Sequence, residues 1–560
     1  MIEVTRASDG DSKRAASDAR REQRREDRAR VGDADIHLTT TRAERVRRWL
    51  DRAIFVLLVV LLFAVAAPYA SVDPWWEGFF EACVFALGAL WMIEGMLGGA
   101  WLVASHRLLI PLVALLAFAF AQTLPLPGGA QVAGLRVSRT ISADPFETWR
   151  FAVRVAALIL AAALLLRYTS SARRLRALVF AVVAVGCLSA LFGFFRQTAT
   201  KEALAFVSPR LAENVGGFAQ FINRDHFAFL AEMSLGLALG LLISGRSRRE
   251  RLPVYAAAAL CVWAALVMSN SRGGLLGMFA QLAFAALLYF TFVARAARHS
   301  ENDFDEDGDA RHRHDEDRGV LRRHDEDHGA RRLHHDDGGA RRLRPVARRS
   351  TLLLRVGLVA ALFASVFVGV LWVGGEPLAT RLGALPGDVS AESSVRWGDR
   401  RVEVWRATWG LIKERPLVGV GFGAFRAGVT AHHDASGEMS LEQAHNDYLE
   451  ILASGGIVGA ALFAWFVAVF LRRALGSLRS QDSFRQAATV GALAGLAAVA
   501  VHSLFDFGLH VTANALVFTA LAAIAAADSR AERHSDVRQI TSAHSRERVK
   551  LEHHRSETSS

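Results

Sequence analysis

The chain reads as an all-α polytopic membrane protein of about twelve transmembrane helices, with one large outer loop between spans 9 and 10. Three observations lead there. Of the 560 residues, 52% are hydrophobic, and they gather in long uninterrupted runs. About a dozen of those runs approach the roughly 18 residues read as membrane-spanning, and backbone groups in lipid must be satisfied within the segment, which leaves a helical bundle. Arginine is concentrated in alternate loops, the asymmetry expected when one side of the membrane retains positive charge.

Residues 1–52 are Arg-rich with few apolar side chains, too few to fold alone, and read as a basic cytoplasmic tail. The first apolar run starts too late for a cleavable signal peptide. Spans are expected at 53–70, 79–97, 107–124, 150–167, 175–195, 226–244, 253–269, 273–293, 351–372, 450–471, 486–504 and 509–527. With the N-terminus inside, the inner loops hold Arg173-Arg174-Leu175-Arg176, Arg246 to Arg251, the segment 294–350 and Arg472 to Arg485, and the basic tail 528–560 is also inside. The outer segments are then about 125–149, 196–225, 373–449 and the short 505–508. The domain plan is thus tail 1–52, spans 1–8 over 53–293, loop 294–350, spans 9–12 over 351–527 and tail 528–560.

Loop 294–350 repeats His-Asp-Glu-Asp units from His314 and His324, then His335-Asp-Asp, with Gly and Arg-rich steps between them. His-rich tracts can bind metal, but mixed-charge repeats are more often linkers, and no active site is expected here. The net charge of +11 is explained by topology, so nucleic acid is not an expected partner. Cys83, Cys187 and Cys261 all fall in apolar runs and suggest no disulfide framework.

Three spans begin on the outer side with polar residues in the first turn: Ile222-Asn223-Arg224-Asp225-His226, Ser269-Asn270-Ser271-Arg272-Gly273-Gly274 and Gln443-Ala444-His445-Asn446-Asp447. Asn, Ser and Asp are N-cap residues, and a helix N-terminus offers free N–H groups and partial positive charge to an anion. Each start has its ordinary reading as well. Arg272 alone is a snorkelling interface residue, His226 and His445 alone are cap or interface histidines, and Asn223 and Asn446 are caps whatever the function. Three such ends on one side make the functional reading.

From Ser394 to Glu414 the pattern is helical. Trp397, Arg401, Val404, Trp405, Thr408, Trp409 and Ile412 share one side, as in a helix at the membrane interface or one packed on the bundle. The following Arg415-Pro416-Leu417-Val418-Gly419-Val420-Gly421-Phe422-Gly423-Ala424-Phe425 is glycine-rich at alternate positions. It lacks the Lys-Ser/Thr and buried strand of a phosphate loop, so a structural turn is expected.

The combination Asn223-Arg224-Asp225-His226-Phe227, Ser271-Arg272-Gly273, Arg415-Pro416-Leu417 with Gly419, Gly421, Gly423 and Phe425, and His445-Asn446-x-Tyr448-Leu449 resembles the O-antigen ligase and polymerase superfamily of bacterial membrane proteins over roughly 200–510. The superfamily pattern commonly has Asn where this chain has Asp225, which leaves Asp225 as a cap. The resemblance implies a bundle with a large periplasmic loop between two late spans, here 373–449. It implies an inner-membrane protein with both termini cytoplasmic. The implied reaction is glycan transfer from undecaprenyl pyrophosphate to an acceptor, without metal, nucleotide sugar or other cofactor. The acceptor is the lipid A core in ligases and a second lipid-linked glycan in polymerases; some relatives transfer to protein. Membrane lipids are the remaining partners.

The residue chemistry fits that reaction. A departing pyrophosphate needs charge stabilisation, which Arg supplies in bidentate fashion. Arg272 and Arg224 come first, then Arg415 and Arg426. The resemblance favours His445 as the base on a sugar hydroxyl or as an orienting group beside the pyrophosphate. His226 is second, and the adjacent pair His432-His433 ranks lower. No Asp-x-Asp motif stands near the outer site. Two other classes remain: a transporter, suggested by the ionisable residues Glu81, Glu94, Arg154, Glu232 and Asp506 in or near spans, and a non-catalytic scaffold. A transporter would place its key groups at mid-membrane on broken helices.

Overall fold

A computed structural model describes residues 42–67, 69–98, 106–132, 135–214, 216–243, 249–288, 397–432, 441–480 and 482–527. The tails 1–41 and 528–560, the repeat loop 294–350, the span expected at 351–372 and the start of the outer loop lie outside the described residues.

The protein is an all-α, multi-pass membrane protein. Among the described residues seven helices are long and apolar enough to cross a membrane, and four apolar helices are shorter. In chain order they begin with α1 (Arg42–Ala66), α2 (Pro74–Gly98), α3 (Ile110–Thr123), α4 (Pro145–Tyr168) and α5 (Ala172–Thr198). Two short helices, α6 (Lys201–Val207) and α7 (Pro209–Glu213), lead to α8 (Arg224–Ile243), α9 (Leu252–Met268) and α10 (Arg272–Leu288). Then come α11 (Trp397–Glu414), the short α12 (Phe425–Val429), α13 (Asp447–Ser477), α14 (Ser483–His502) and α15 (Thr512–Ala526). Each expected span within the described residues coincides with one of these helices. The first starts earlier than expected, at Arg42, where Asp51 pairs with Arg174 of α5 and Arg47 lies 3.8 Å from Glu94 of α2. Charges that bind neighbouring helices allow α1 to run back into the basic tail.

One addition is a small antiparallel hairpin, β1 (Leu126–Val132) with β2 (Leu135–Arg139), inside the expected outer segment 125–149. Its two strands pair with each other alone.

Helix α8 is the hub. It is buried almost from end to end and packs against α5, α9, α14 and α15. Its crossing with α14 is made by glycines. A Cβ at Gly491 would come 2.7 Å from the Gly236 carbonyl oxygen, and one at Gly240 would come 2.5 Å from that of Ala487. In lipid no hydrophobic force pulls helices together, so close backbone approach through small residues supplies the attraction. Helix α10 uses the same device: Gly274 lies on Ala228, and Gly277 lies on Glu232 and the Ala498 carbonyl.

The amphipathic helix α11 is present, and most of the side that the spacing picks out faces inward, Trp409 excepted. Val404, Ala407, Thr408, Leu411 and Ile412 are buried, whereas Trp409 is half exposed. The smaller residues fit the contact with α13, and the indole is left at the surface.

Gly491→Ala is expected to destabilise the α8–α14 crossing by roughly 1–3 kcal/mol, since backbone and not a mobile side chain would have to move. Gly476→Ala, where a Cβ would meet nothing within 4 Å, is the control. Thermal unfolding of detergent-solubilised protein should show a lower midpoint for the first variant alone.

Candidate active site

The three polar helix starts are built alike. At α8, Asn223 Oδ1 accepts from the Asp225 N–H at 2.9 Å. At α10, Ser271 Oγ accepts from the Gly274 N–H at 3.0 Å. At α13, Asn446 Oδ1 accepts from the N–H groups of Tyr448 and Leu449, both at 3.0 Å. These bonds satisfy N–H groups that have no partner within the helix. Two residues just before the starts, Asn270 (φ 54°) and His445 (φ 48°), hold left-handed backbone. A non-glycine residue keeps such a conformation only where its surroundings over-determine it.

His445 is held that way from several directions. Trp405 Nε1 of α11 donates to the Ala444 carbonyl at 3.1 Å, and the Ala444 N–H donates to Glu450 Oε2 at 3.0 Å. Asn446 Nδ2 donates to the Leu504 carbonyl at 3.0 Å, and the Asp447 N–H donates to that of Ser503 at 2.9 Å. The start of α13 is therefore fastened to the end of α14.

That junction brings the titratable groups together. His445 Nδ1 lies 3.4 Å from Asp506 Oδ1. The His226 and His445 rings each meet the Phe507 ring edge-on, with centroids 4.9 Å apart. Behind them, His502 Nδ1 bonds Glu232 Oε1 at 3.0 Å, both side chains fully buried, and Phe229 stacks on the His502 ring at 4.1 Å. One ligand atom each from Asp225, His502 and Asp506 lie within 4.8 Å of one another, and these three are the described residues that could hold a metal ion.

Electrostatics sort the groups between α14 and α15. Burial pushes the Asp506 carboxyl up, but the hydrogen bond with His445, the charge of His226 and the Phe507 N–H outweigh it and hold the group at about 2. Asp506 is therefore an anion at neutral pH. Burial pushes His510 down, the charges of Arg154 and His226 push the same way, and it falls to about 4 despite Asp506. Its ring is neutral and lies 3.6 Å from Asp447 Oδ1 and 3.7 Å from Glu450 Oε1.

Among the residues singled out in the sequence, His226, His445 and Asn446 meet at this junction. Arg224 immediately precedes Asp225, and Arg272 precedes Gly273, whose Cβ, if present, would come 2.4 Å from His502 Nε2. Both guanidinium groups are exposed, and neither has a hydrogen bond or ion pair among the described residues. Asn223 sits at the same helix start as Arg224. Arg426 lies 3.9 Å from Glu442, upstream of His445 in the same loop. Arg415 turns elsewhere and donates to the Ile141 carbonyl at 3.1 Å. His432 pairs with Glu414 at 2.9 Å. The residues that the sequence reading did not place in the site are Asp506, His502, Glu232, Phe507 and His510. Four of them lie in the stretch His502–His510, where two histidines and an aspartate stand among apolar residues and pass for a turn, and Glu232 stands alone in an apolar span.

The glycine-rich segment is structural. Gly419, Gly421 and Gly423 all have positive φ. Helix α13 breaks at Gly456 (φ 61°), and the segment fills the break. The N–H groups of Val420 and Gly421 donate to the Ala453 and Ser454 carbonyls, and those of Ile457 and Val458 donate to Pro416 and Leu417. The Phe422 N–H donates to Gln122 Oε1 at 3.1 Å. These N–H groups are already used and are not free to cradle a phosphate.

Residues 339–464 match the family model described as O-Antigen ligase. No curated protein sequence matches the chain significantly. The family match, over less than a quarter of the chain, agrees with the resemblance read in the sequence and, with the apolar helices, supports an O-antigen ligase-like membrane enzyme. The matched stretch contains α11, the glycine-rich turn and His445. Arg224, Arg272 and Asp506 lie outside it.

The Asp506 carboxyl is held below its ordinary value of 3.8. The stabilisation it brings is therefore present above about pH 4 and lost as pH falls towards 2, on the order of 2 kcal/mol. In Asp506→Asn the thermal midpoint should fall less steeply between pH 4 and 2 than in the parent protein.

Proposed function

We propose that the chain transfers a glycan from undecaprenyl pyrophosphate to a hydroxyl acceptor on the periplasmic face of the bacterial inner membrane, with both termini cytoplasmic, and that the acceptor is the lipid A core. The observation that carries this reading is the His445–Asp506 pair at one end of the bundle, beside two helix starts that bear unpaired arginines. The orientation rests on the arginine-rich loops at the opposite end.

The acceptor hydroxyl attacks C1 of the sugar attached to the diphosphate. The bond between C1 and the phosphate oxygen breaks, and the lipid diphosphate leaves with the electron pair. His445 donates its Nδ1 hydrogen to Asp506, which leaves Nε2 to accept the hydroxyl proton. The anionic Asp506 stabilises the imidazolium that forms, as a carboxylate does for a catalytic histidine. Arg272 and Arg224, always charged and able to bind two oxygens at once, take the growing charge of the diphosphate. Their exposure suits a substrate that arrives from the membrane surface. Asn223 and Asn446 hold the two helix starts, and His226 lines the floor with Phe507.

In purified protein reconstituted with lipid-linked glycan and lipid A core, Arg272→Ala is expected to lower turnover at least about 10²-fold. His445→Ala should lower it by about 10²–10⁴-fold. Both should keep the parent's elution profile and thermal midpoint. Normal transfer by both variants would remove this site. Supplying lipid-linked repeats alone tests the acceptor: chain growth without lipid A core would make the protein a polymerase.

A further inference from the structure

We propose that the row of arginines at the start of α1 is a binding site for one anionic phospholipid. Arg45, Arg48, Trp49 and Arg52 line a single cavity of about 340 Å³. The arginines follow one another at three and four residues, so the helix stacks them along one side over about 10 Å. All three are exposed, and Trp49 between them is 67% exposed.

Two observations identify the occupant. The first is that Trp49 belongs to an apolar stripe as well as to the cavity. Val46, Trp49, Val56 and Val60 are exposed and recur at helical spacing along α1. Helix α1 is one of those long and apolar enough to cross a membrane, so its exposed valines meet acyl chains. Tryptophan at the end of such a stripe sits at the level of the headgroups. A water-soluble anion would use the arginines alone, whereas a phospholipid uses the arginines and the stripe together.

The second observation is how charge is sorted at this end of the bundle. The arginines that face the protein are already neutralised: Arg47 lies 3.8 Å from Glu94, and Arg174 of α5 pairs with Asp51. Those lining the cavity are used differently. Arg48 donates from Nε to the Glu44 carbonyl at 3.3 Å, which leaves its two terminal nitrogens. Arg52 has no hydrogen bond or ion pair among the described residues, since the neighbouring Asp51 is taken by Arg174. Guanidinium groups bind phosphate oxygens two at a time, and basic clusters beside a membrane-spanning helix hold anionic headgroups. Arginines that served only to keep this end in the cytoplasm would need neither a shared cavity nor a tryptophan among them. Placing the lipid in the cytoplasmic leaflet rests on the orientation read from the arginine-rich loops; the binding does not.

The test uses the full-length protein washed free of lipid in detergent. It is titrated with phosphatidylglycerol, or with phosphatidylethanolamine of the same acyl chains, and bound lipid is counted by native mass spectrometry. One phosphatidylglycerol should be held at least about tenfold more tightly than phosphatidylethanolamine. Arg48→Gln/Arg52→Gln should abolish that preference. Arg173→Gln/Arg176→Gln, which removes the same charge from the same end but outside the cavity, should keep it. Equal retention of the two lipids by the parent protein would overturn the proposal. So would a preference that survives in the first double variant, or one that is lost equally in both. An acidic peptide that bound the lipid-free parent through Arg48 and Arg52 more tightly than phosphatidylglycerol would also overturn it, and would make the cluster a protein-docking surface. The comparison of lipids in the parent needs no variant, so poor folding of a variant does not shield the idea. No glycan transfer is measured, so failure here leaves the transferase reading standing.

Discussion

The hydrogen bond between Glu232 and His502 governs the geometry of the end of the bundle where the starts of α8, α10 and α13 meet. Both side chains are removed from water at the crossing of two apolar helices. A carboxylate or imidazole left alone there would be strongly destabilising, so the two helices have to meet in the one register that joins them. The glycines at the crossing permit the approach, and the buried pair selects the register. Everything functional hangs from the ends of those helices. The end of α14 provides the carbonyls that hold the start of α13 and, one turn on, the carboxylate that faces His445. The start of α8 provides His226 and Asp225, and α10 reaches the same place by laying Gly273 and Gly277 against the pair. The arginines are thus positioned by neighbours that touch the pair, without being part of it.

How much of this could be read in the sequence follows from the range of the forces involved. The spans were legible because lipid imposes a length and an apolar composition on each segment independently of its neighbours. The three helix starts were legible because capping is local: Asn223, Ser271 and Asn446 bond N–H groups two or three residues away. The structural role of the glycine-rich turn was also visible, from the lack of Lys-Ser/Thr. Its destination, a break at Gly456 in another helix, was not. The two histidine–carboxylate pairs were hidden for the same reason. His445 and Asp506 are 61 positions apart, and Glu232 and His502 are 270 apart. Nothing local marks Asp506 as more than a residue in a turn. In helix α11 the spacing picked out Val404, Thr408 and Ile412, which are buried, and Trp405, which bonds the Ala444 carbonyl, but it could not show that Trp409 stays at the surface while Ala407 and Leu411 are buried.

The ionisable residues within the spans differ in what neutralises them. Glu94 lies 3.2 Å from the Tyr168 hydroxyl and within 4 Å of Arg47 and Arg167, so it ties α1, α2 and α4 together at one end. Glu77 is shared by Arg150 and Arg154, tying α2 to α4 at the other. Charges used in this way are joints between helices, and they line no path through the bilayer. Arg224 and Arg272 have no such partner among the described residues, and they stand at the starts of α8 and α10, near the open valences of His502 and Asp506. A carrier needs its binding groups reachable from both faces in turn. Here the broken helix α13 is plugged by the chain's own glycine-rich turn, and its exposed carbonyl and N–H groups are consumed in doing so. A break sealed by backbone cannot also serve as a gate. Arg224 and Arg272, at helix starts beside the histidine–carboxylate pair, suit the proposed transfer on a substrate that approaches and leaves at that end.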